Sequence, residues 1–509
     1  MLQRITPDRH WPLHNAALTR QIEHAGLATL PAHTLMARAG VAVARLARAL
    51  YPHAHHVWIA CGPGNNGGDG LVAARELAPW AAASGARVAV SWQGDLARLP
   101  PDAAWALQAA RDAGVCFVDG PPPDTDLAID ALFGLGGQTR DTTEATPLDG
   151  WLRWLRHTPQ PVLCVDLPSG LAPDSGAWPG HTVLPAGPRH TLSLLTLKPG
   201  LFTASGRDAA GEVWLDDLGC GATVAPSAWL GGRAPSAPRL PHGSHKGSRG
   251  DVVVVGGQDM AHNGAGMTGA AVLAARASLL GGAGRVYLVP LGAGGPDSLR
   301  WDPQTPELML RRPALLTPET LSAASVVCGC GGGQLVAEVL PLVIAHSRSL
   351  VLDADALNHL ALSGTLREAV RVRAATGRVT VITPHPLEAA RLLGSTTAQV
   401  QAQRLRAAQT LADELQCVCV LKGSGSVIAA PGQVPVINPT GNARLATAGT
   451  GDVLAGLLGA ALAAATDTAE IPDRVRAAVH QHGHLADHWD EARDGSLTAD
   501  RLASRLHRL

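Results

Sequence analysis

The sequence predicts two α/β domains in tandem, each a mostly parallel sheet covered by helices. Three observations lead to this prediction. At 509 residues, the chain is too long for one ordinary core, and two domains of roughly 200 to 300 residues are the natural division. Short apolar runs alternate with helical patterns in both halves. Between the halves, residues 219–241 are rich in glycine, alanine, proline and serine, as linkers are. We therefore expect domains over residues 1–225 and 226–509.

The elements of both halves follow from the apolar patterns. In the first half, the predicted strands are 57–61, 86–92, 115–118, 127–132, 162–167 and 191–197, and the predicted helices include 69–83 and 103–113. In the second half, the predicted strands are 251–255, 285–289, 325–330, 350–353, 378–383 and 418–421, with helices at 265–280, 397–415, 452–465 and 474–489. Strands separated by helices favour parallel pairing with helices on the sheet faces.

Composition narrows the class of protein. A net charge of −1 with 46% apolar residues indicates a soluble globular protein and gives no support for binding nucleic acid or a charged membrane surface. Charged residues precede any apolar run at the start, which argues against a secretory signal, and the most apolar stretch, 453–465, is too short to span a bilayer. We expect a cytoplasmic protein that acts on small molecules and forms a homo-oligomer.

Neither cysteine nor histidine spacing makes a strong metal motif. The eight cysteines include no C-x-x-C pair, so zinc and redox motifs lack support, and the C-x-C pairs lie in strand-like apolar runs as buried cysteines do. His480, His484 and His488 share one helix face at helical spacing. They either form a polar helix face, which we favour, or contribute to a metal site.

The segment 438–456 is the most informative of the chain. Its small residues lead to Asp452 at the start of an apolar helix. Gly449 and Gly451 allow an anion to approach the backbone closely, where free N–H groups and the helix dipole favour negative charge. The segment therefore predicts a phosphate site with Asp452 as a catalytic base. The alternative is an ordinary capped helix start, because threonine and aspartate are good caps.

A second glycine-rich segment, 62–70, follows a predicted strand in the first half. It satisfies G-x-G-x-x-G, which by itself is a weak dinucleotide motif. A standard hydride-transfer site is not supported. Such a site has an acidic residue about 20 positions later, to bind the ribose, but alanines occupy 81–83 here. The segment is either a nucleotide loop of another kind or a tight turn between a strand and a helix.

Two more acidic residues end predicted strands of the first half. Asp130 leads into the glycine-containing segment 133–140, and Asp166 leads into Leu167-Pro168-Ser169-Gly170. Ligands of open α/β sheets bind outside the carboxyl ends of the strands. These oxygens are able to hold a hard cation and orient a polar nucleotide there. Each aspartate taken alone is equally a turn or helix cap.

Lysine is scarce in this chain. Of the 41 basic residues, only Lys198, Lys246 and Lys422 are lysines, and each lies in a glycine-containing motif. In an arginine-rich sequence, a retained ammonium suggests a position where a guanidinium does not fit.

Taken together, these motifs resemble a known family. Residues 62–70, 130–134, 166–170 and 198–201 look like the YjeF N-terminal domain, an NAD(P)HX epimerase with a Rossmann-like αβα fold. Residues 245–248, 352–357, 383–386, 421–425 and 438–452 look like its usual fusion partner, the ADP-dependent NAD(P)HX dehydratase of the ribokinase-like αβα superfamily. The resemblance covers nearly the whole chain, in the family's order.

The resemblance implies roles for individual residues. In the epimerase domain it implies a catalytic Asp166 and potassium bound by Asn66, Asp130 and Ser169. In the dehydratase domain it implies a catalytic Asp452. Magnesium with the nucleotide phosphates is expected on general grounds for a phosphoryl transfer. The implied epimerase substrate contacts are Asn65, Asn66, Gly67, Gly68, Asp69, Gly134, Leu135, Gly136, Gly137, Gln138, Thr139, Arg140 and Asp166. The implied dehydratase contacts are Ala270, Gly331, His385 and Asp452 for the substrate, with Lys422, Gly423, Ser424, Gly425, Ser426 and Gly451 for ADP.

The activity implied by the resemblance is repair of hydrated nicotinamide nucleotides. The first domain would interconvert R and S NADHX and NADPHX. The second would dehydrate the S epimer to NAD(P)H with ADP, releasing AMP and phosphate. Two alternatives stay open: a ribokinase-like kinase of small alcohols such as a vitamin precursor, and a first domain that only binds nucleotides or a protein partner, without turnover.

Overall fold

A computed structural model of the chain describes residues 2–136, 146–178, 184–221, 224–232, 240–292 and 302–508. It consists of two compact units. Unit 1 comprises Met1–Thr6 and Trp11–Trp229, and unit 2 comprises Pro7–His10 and Leu230–Leu509. Among the described helices, none has the length and apolar character that crossing a bilayer requires.

Unit 1 contains a mostly parallel sheet. Its strands are β1 (Gln3–Arg4), β2 (Trp11–Leu13), β3 (His56–Cys61), β4 (Arg87–Trp92), β5 (Cys116–Phe117), β6 (Leu127–Ala131), β7 (Val162–Val165), β8 (Arg189–Leu194) and β9 (Glu212–Asp216). The spatial order is β1-β9-β8-β7-β6-β3-β4-β5, in which β1 alone runs antiparallel to its neighbour and β2 takes no part. The carboxyl ends of β3, β6, β7 and β8 therefore share one edge.

Helices cover both faces of this sheet. They are α1 (Ala16–Thr29), α2 (Thr34–Leu50), α3 (Asn65–Ser84), α4 (Pro101–Asp112), α5 (Pro147–His157) and α6 (Gly206–Ala210). Alternate residues of β3 face opposite ways, as the period of a strand requires. Ile59 packs into a cluster with α2, α3 and α4, whereas Trp58 packs with Trp151 and Leu155 of α5. Burial on both faces explains why the strands are continuous apolar runs.

Unit 2 has a longer sheet of the same kind. Its strands are β11 (Asp251–Gly256), β12 (Arg285–Pro290), β13 (Met309–Leu310), β14 (Ser325–Cys328), β15 (Ser349–Leu352), β16 (Thr380–Ile382), β17 (Val418–Leu421), β18 (Val427–Ala429) and β19 (Val436–Ile437), while β10 (Ala228–Leu230) lies at the boundary of the units. The order is β13-β12-β11-β14-β15-β16-β17-β18-β19. Pairing is parallel from β13 to β17 and antiparallel from β17 to β19.

The helices of unit 2 also form two layers. They are α7 (Thr268–Leu280), α8 (Pro318–Ser322), α9 (Val336–His346), α10 (Asp355–Leu362), α11 (Gly364–Ala375), α12 (Pro386–Leu393), α13 (Thr397–Ala402), α14 (Arg404–Leu415), α15 (Thr450–Ala463), α16 (Ile471–Asp487), α17 (Glu491–Asp494) and α18 (Ala499–Ala503). Helix α15 is buried almost all round. A Cβ atom on Gly456 would lie 2.0 Å from the Ala274 carbonyl oxygen, so α15 and α7 contact each other through their backbones.

The predicted fold class, two αβα domains in tandem, is confirmed. Every predicted strand is present, with ends shifted by up to three residues. Two helix predictions were wrong in detail. Helix α3 begins at Asn65 instead of Asp69, and the helix predicted over 397–415 is two helices separated at Gln403, whose ψ of 49° is not helical. Helices α1, α2, α5, α6, α8 to α12, α17 and α18 were not predicted, and β10 lies inside the predicted linker. The domain limits at 225 and 226 remain a prediction.

Candidate active sites

The carboxyl edge of the unit 1 sheet opens into a cavity of about 610 Å³. Several residues predicted to contact the epimerase substrate line it: Asn65, Asn66, Asp69, Gly134, Leu135, Gly136 and Asp166. The structure therefore brings together three segments that are distant in sequence. Four predicted contacts, Gly137, Gln138, Thr139 and Arg140, lie outside the described residues.

The glycines of the segment 62–70 serve packing as well as the cavity. A Cβ atom on Gly62 would lie 2.0 Å from the Leu132 carbonyl oxygen, and one on Gly67 would lie 2.0 Å from the Gly62 carbonyl oxygen. Gly67 and Gly68 are buried and do not line the cavity, contrary to the simplest form of the prediction. Asparagine and glycine are poor helix formers, so the sequence predicted a loop before Asp69. In the structure, residues 65–68 form the first turn of α3, which the close contacts at Gly62 and Gly67 hold in place.

Asp166 is paired with a fully buried lysine. Its backbone has φ +66°, and its Oδ1 accepts hydrogen bonds from Leu194 N at 3.1 Å and from Lys198 Nζ. Lys198 also donates to the Leu194 carbonyl oxygen at 2.7 Å and to Ser193 Oγ at 3.4 Å. Because the pair is buried, removing either partner would leave an uncompensated charge. Lys198 was not predicted as a site residue, although its rarity was a signal.

Two further carboxyl groups face the same cavity. The pKa values of Glu23 and Asp69 are both raised above their usual range. Burial is the largest cause, and the nearby Asp166 carboxylate is the second. Both residues line the cavity beside Asp166. A carboxyl group with a raised pKa holds a proton more readily than an ordinary one, which suits a general acid. Glu23 lies in α1, which was not predicted, and so sequence reasoning missed it.

Of the three predicted potassium ligands, two contact each other directly and the third lines the cavity. Asp130 and Ser169 contact each other: Asp130 accepts from Ser169 Oγ at 2.5 Å and from Ser169 N at 2.9 Å. Asn66 lines the cavity, and its Nδ2 is buried without a hydrogen-bond partner among the described residues. A Cβ atom on Gly134 would lie 3.1 Å from Asn66 Oδ1 and 3.5 Å from an Asp166 oxygen. Asn66 and Asp166 therefore both lie beside Gly134.

In unit 2, Asp452 lies in the first turn of α15, as predicted. The helix is preceded by Gly449, whose φ of +89° places it in the left-handed region. His482 also contacts the start of the helix, because its Nε2 donates to the Thr450 carbonyl oxygen at 2.9 Å. Burial lowers the pKa of this imidazole to about 4, so the ring is neutral. Sequence reasoning missed His482.

A charged cluster surrounds Asp452. Burial and then the Asp353 carboxylate raise the pKa of Asp452 to about 7. Lys422 donates to Asp353 Oδ1 at 2.7 Å, and a Cβ atom on Gly451 would lie 3.5 Å from the same ammonium. Burial lowers the pKa of Lys422, but Asp353, Glu388 and Cys330 together outweigh this and the pKa is raised overall. The cluster therefore combines a base that titrates near neutrality with a fixed positive charge.

The other predicted dehydratase residues lie on neighbouring turns of unit 2. A Cβ atom on Gly331 would lie 2.9 Å from Ala270 Cβ, so these two predicted substrate contacts are adjacent. His385 caps α12: its Nδ1 accepts from Leu387 N at 3.1 Å, and its Nε2 lies 3.2 Å from Glu388 Oε1. The turn of His385 adjoins that of Lys422, whose N–H donates to the Pro384 carbonyl oxygen at 2.9 Å.

A buried arginine supports the predicted nucleotide loop of Lys422, Gly423, Ser424, Gly425 and Ser426. Arg404 is 1% exposed, and its Nη2 donates to the carbonyl oxygens of Leu421, Lys422 and Gly425 at 3.2 to 3.4 Å. Gly423, at φ +134°, passes directly over this guanidinium. Burial lowers the pKa of Arg404 to about 10, so it stays charged at neutral pH. Sequence reasoning missed Arg404 because it lies in a helix well before the loop.

The histidine series does not form a metal cluster in the described part of the chain. The rings of His480 and His484 stack with centroids 5.7 Å apart, and those of His484 and His488 lie 4.0 Å apart. Of the described residues, a single group of three possible metal ligands comes together, and it is Cys330, Asp353 and Asp452.

The chain matches two family models. The model of the YjeF-related protein N-terminus matches residues 32–200, and the NAD(P)H-hydrate dehydratase model matches residues 252–508. The bifunctional NAD(P)H-hydrate repair enzyme Nnr of Escherichia coli (strain K12) is 36% identical over 462 residues, which cover 86% of this chain and 82% of the relative. The chain belongs to the family of bifunctional NAD(P)H-hydrate repair enzymes.

Further relatives agree with this family. The enzyme of the same name from Coxiella burnetii is 33% identical and is matched over 89% of this chain and 90% of its own. The corresponding enzyme of Leishmania braziliensis is 34% identical, and the match covers 97% of this chain and 91% of the relative. A solved ADP/ATP-dependent NAD(P)H-hydrate dehydratase from Bacillus subtilis is 27% identical, covering 52% of this chain and 91% of its own at a TM-score of 0.41. Family membership favours repair over the small-alcohol kinase alternative.

Proposed function

We propose that residues 1–225 interconvert the R and S epimers of NADHX and NADPHX, and that residues 226–509 dehydrate the S epimer with ADP. The observation that carries the proposal is Asp452, a half-buried base with a pKa near 7 at a helix N-terminus, next to the ammonium of Lys422. A base, a positive charge and free backbone N–H groups are what transfer of a phosphoryl group to a hydroxyl requires.

Dehydration proceeds in two steps on this proposal. Asp452 removes the proton of the ring hydroxyl while that oxygen attacks the β-phosphorus of ADP, and AMP leaves with the electrons of the broken P–O bond. The resulting phosphate ester then loses inorganic phosphate with the C–O bond pair, and loss of the neighbouring ring proton restores the dihydropyridine. The N-terminus of α15 and Lys422 stabilise the charge on the transferring group. Mg²⁺, when bound to the nucleotide, supplies further charge neutralisation.

The substitution Lys422→Arg is expected to weaken ADP binding or slow dehydration by at least about tenfold, equivalent to roughly 1.4 kcal/mol. The ammonium fits between Asp353 Oδ1, at 2.7 Å, and the Gly451 backbone, so a longer planar guanidinium would displace one of them. Steady-state kinetics over an ADP series measures KM and kcat. Unchanged KM and kcat in Lys422→Arg would contradict the assignment.

Dehydration should also lose activity on the acid side of neutrality. Asp452 acts as a base only when ionised, and its pKa of about 7 means that the ionised fraction grows as the pH rises through 7 and falls below it. The pH profile of kcat/KM, which refers to the free enzyme, should therefore show an acid limb centred near pH 7. A limb near pH 4, the ordinary value for aspartate, would show that Asp452 is not the base.

For epimerisation, we propose that Asp166 handles a proton at the hydrated ring and that Lys198 positions it. Lys198 fixes the Asp166 carboxylate through a buried ion pair and is itself held by Leu194 and Ser193. Glu23 and Asp69, whose pKa values are raised, are able to hold a proton beside the Asp166 carboxylate. The leucine and phenylalanine side chains in the cavity wall limit water around the ring.

The residues present fit the proposed potassium ion. Carboxylate, hydroxyl and amide oxygens are ligands for a hard cation. The orphaned Asn66 Nδ2 is the supporting observation, because turning the amide by half a turn would replace an unsatisfied donor with an oxygen ligand. Asn66, Asp130 and Ser169 would hold the ion, which supplies positive charge against the carboxyl groups of the cavity.

Epimerisation is therefore expected to depend on potassium. Asp130→Ala should weaken substrate binding and abolish the response to potassium, because Asp130 organises Ser169 through two hydrogen bonds. Epimerisation rates measured at increasing K⁺, with ionic strength held constant by a larger cation, test this. A variant that keeps both normal binding and the potassium response would refute the assignment.

A single assay tests the overall function. Both epimers are supplied with ADP, and recovery of reduced-nicotinamide absorbance is followed together with phosphate release. Recovery of more than the S fraction shows that both activities are present. A stable phosphorylated product without phosphate release would instead support a kinase.

A further inference from the structure

A thiol lies beside the proposed base of the dehydratase. Cys330 Sγ and one carboxylate oxygen each of Asp353 and Asp452 lie within 4.8 Å of one another. The three residues come from separate turns, after β14, after β15 and at the start of α15. The proposed dehydration uses Asp452 but leaves the thiol without a role.

The chemistry of these three groups matches a soft divalent metal ion. Zn²⁺ is bound by cysteine sulfur and by carboxylate oxygens, and three protein ligands leave a fourth position for water. Cysteine disfavours Mg²⁺ and favours Zn²⁺ or Cd²⁺. The set therefore differs from an all-oxygen nucleotide-magnesium site.

The charge around the cluster also favours a cation. The carboxyl groups of Asp353 and Asp452 face a single ammonium, that of Lys422, and Asp355 adds negative charge from α10. Asp353 and Asp452 bring two carboxylate oxygens within 4.8 Å of each other, and like charges at that distance repel. A divalent ion would relieve this repulsion. Cys330 is fully buried, and burial raises the pKa of its thiol, so metal binding must release the thiol proton to solvent.

We propose that Cys330, Asp353 and Asp452 bind Zn²⁺ or a similarly soft divalent ion, which inhibits dehydration by occupying the base. Binding forms one metal–sulfur and two metal–oxygen bonds and releases the thiol proton, together with any proton carried by Asp452. The inhibitory part rests on the proposed dehydration, whereas the binding part stands on the ligand set alone.

Metal binding is tested directly on the full-length, metal-free protein. Cd²⁺ is the spectroscopic probe, because its bond to a thiolate gives an ultraviolet charge-transfer band, and Zn²⁺ affinity is measured by equilibrium dialysis. Cys330→Ala should lose the band and bind Zn²⁺ at least about tenfold more weakly, since loss of a group that merely supports a ligand already costs about 10- to 100-fold. Cys328→Ala is the matched control: Cys328 is equally buried two residues away but is not one of the three ligands. It should behave as wild type.

Several outcomes would overturn the proposal. An unchanged Cd²⁺ band in Cys330→Ala would place the metal at another thiol, such as the exposed Cys116. Cys330→Ser, which preserves size but removes the sulfur, answers the same question if the alanine variant folds poorly, and retained affinity there would also count against it.

Activity then separates inhibition from binding. Zn²⁺ should inhibit dehydration in wild type and Cys328→Ala, reversibly on chelation, while Cys330→Ala resists at the same metal and ADP concentrations. Binding without inhibition would overturn the regulatory part. Binding by a protein with no dehydratase activity would instead refute the proposed function and leave the metal site standing.

Discussion

Replacing Asp452 with asparagine is expected to reduce ADP-dependent dehydration by about two to four orders of magnitude, the usual loss for a positioned general base. Asparagine keeps the size of the side chain but cannot accept the hydroxyl proton. It also removes the repulsion with Asp353 that raises the pKa of Asp452, so the fold of unit 2 should not suffer. Epimer interconversion should continue, because its proposed residues all lie in unit 1.

The experiment measures both activities on one preparation. Dehydration of the S epimer is followed by absorbance, and interconversion is followed by chromatographic separation of R and S NADHX. Asp413→Asn makes the same change on the exposed face of α14 and should be silent. Equal loss of both activities in a folded Asp452→Asn protein would contradict the separation of the two sites.

Replacing Asp166 with asparagine should have the converse effect, with epimerisation reduced by about two to four orders of magnitude and dehydration of the S epimer retained. Asparagine tolerates the left-handed backbone that Asp166 adopts, so the turn at φ +66° should survive. What is lost is the carboxylate that faces the cavity and pairs with Lys198.

In the Asp166→Asn variant, the buried Lys198 ammonium loses its carboxylate partner, which is expected to lower stability. Breaking a buried ion pair by removing one partner typically costs about 3 to 5 kcal/mol. The double variant Asp166→Asn with Lys198→Met removes the stranded charge and should recover thermal stability without recovering epimerisation. Asp126→Asn, at the opposite edge of the sheet, is the control. Epimerisation that recovers along with stability in the double variant would show that Asp166 acts only in folding.

Sequence alone predicted the strands well because most of them, such as β6, β7 and β11, are apolar runs that the fold buries. Val418–Leu421 was predicted to the residue. It also placed Asp452 at a helix start, since glycines and small residues before an apolar helix are a local pattern. The grouping of Asn66, Gly134 and Asp166 followed from a topological rule, that parallel strands end at one edge.

The contacts that sequence could not predict are those between distant segments. Nothing near Asp166 indicates that Lys198 reaches it, and nothing near Cys330 indicates that Asp452 faces it. Helix α3 begins at Asn65 because Gly62 and Gly67 touch backbone atoms, a tertiary effect that overrides poor helix propensity.

Arg404 makes the backbone position of the predicted nucleotide loop independent of the side chains that the loop carries. Its guanidinium holds the loop by carbonyl oxygens, which every residue type provides. Exchanges of Ser424 should therefore alter what the loop presents to a nucleotide without moving the loop. A substitution at such a position changes one side chain of the loop, whereas a change at Arg404 would release the backbone of the whole loop.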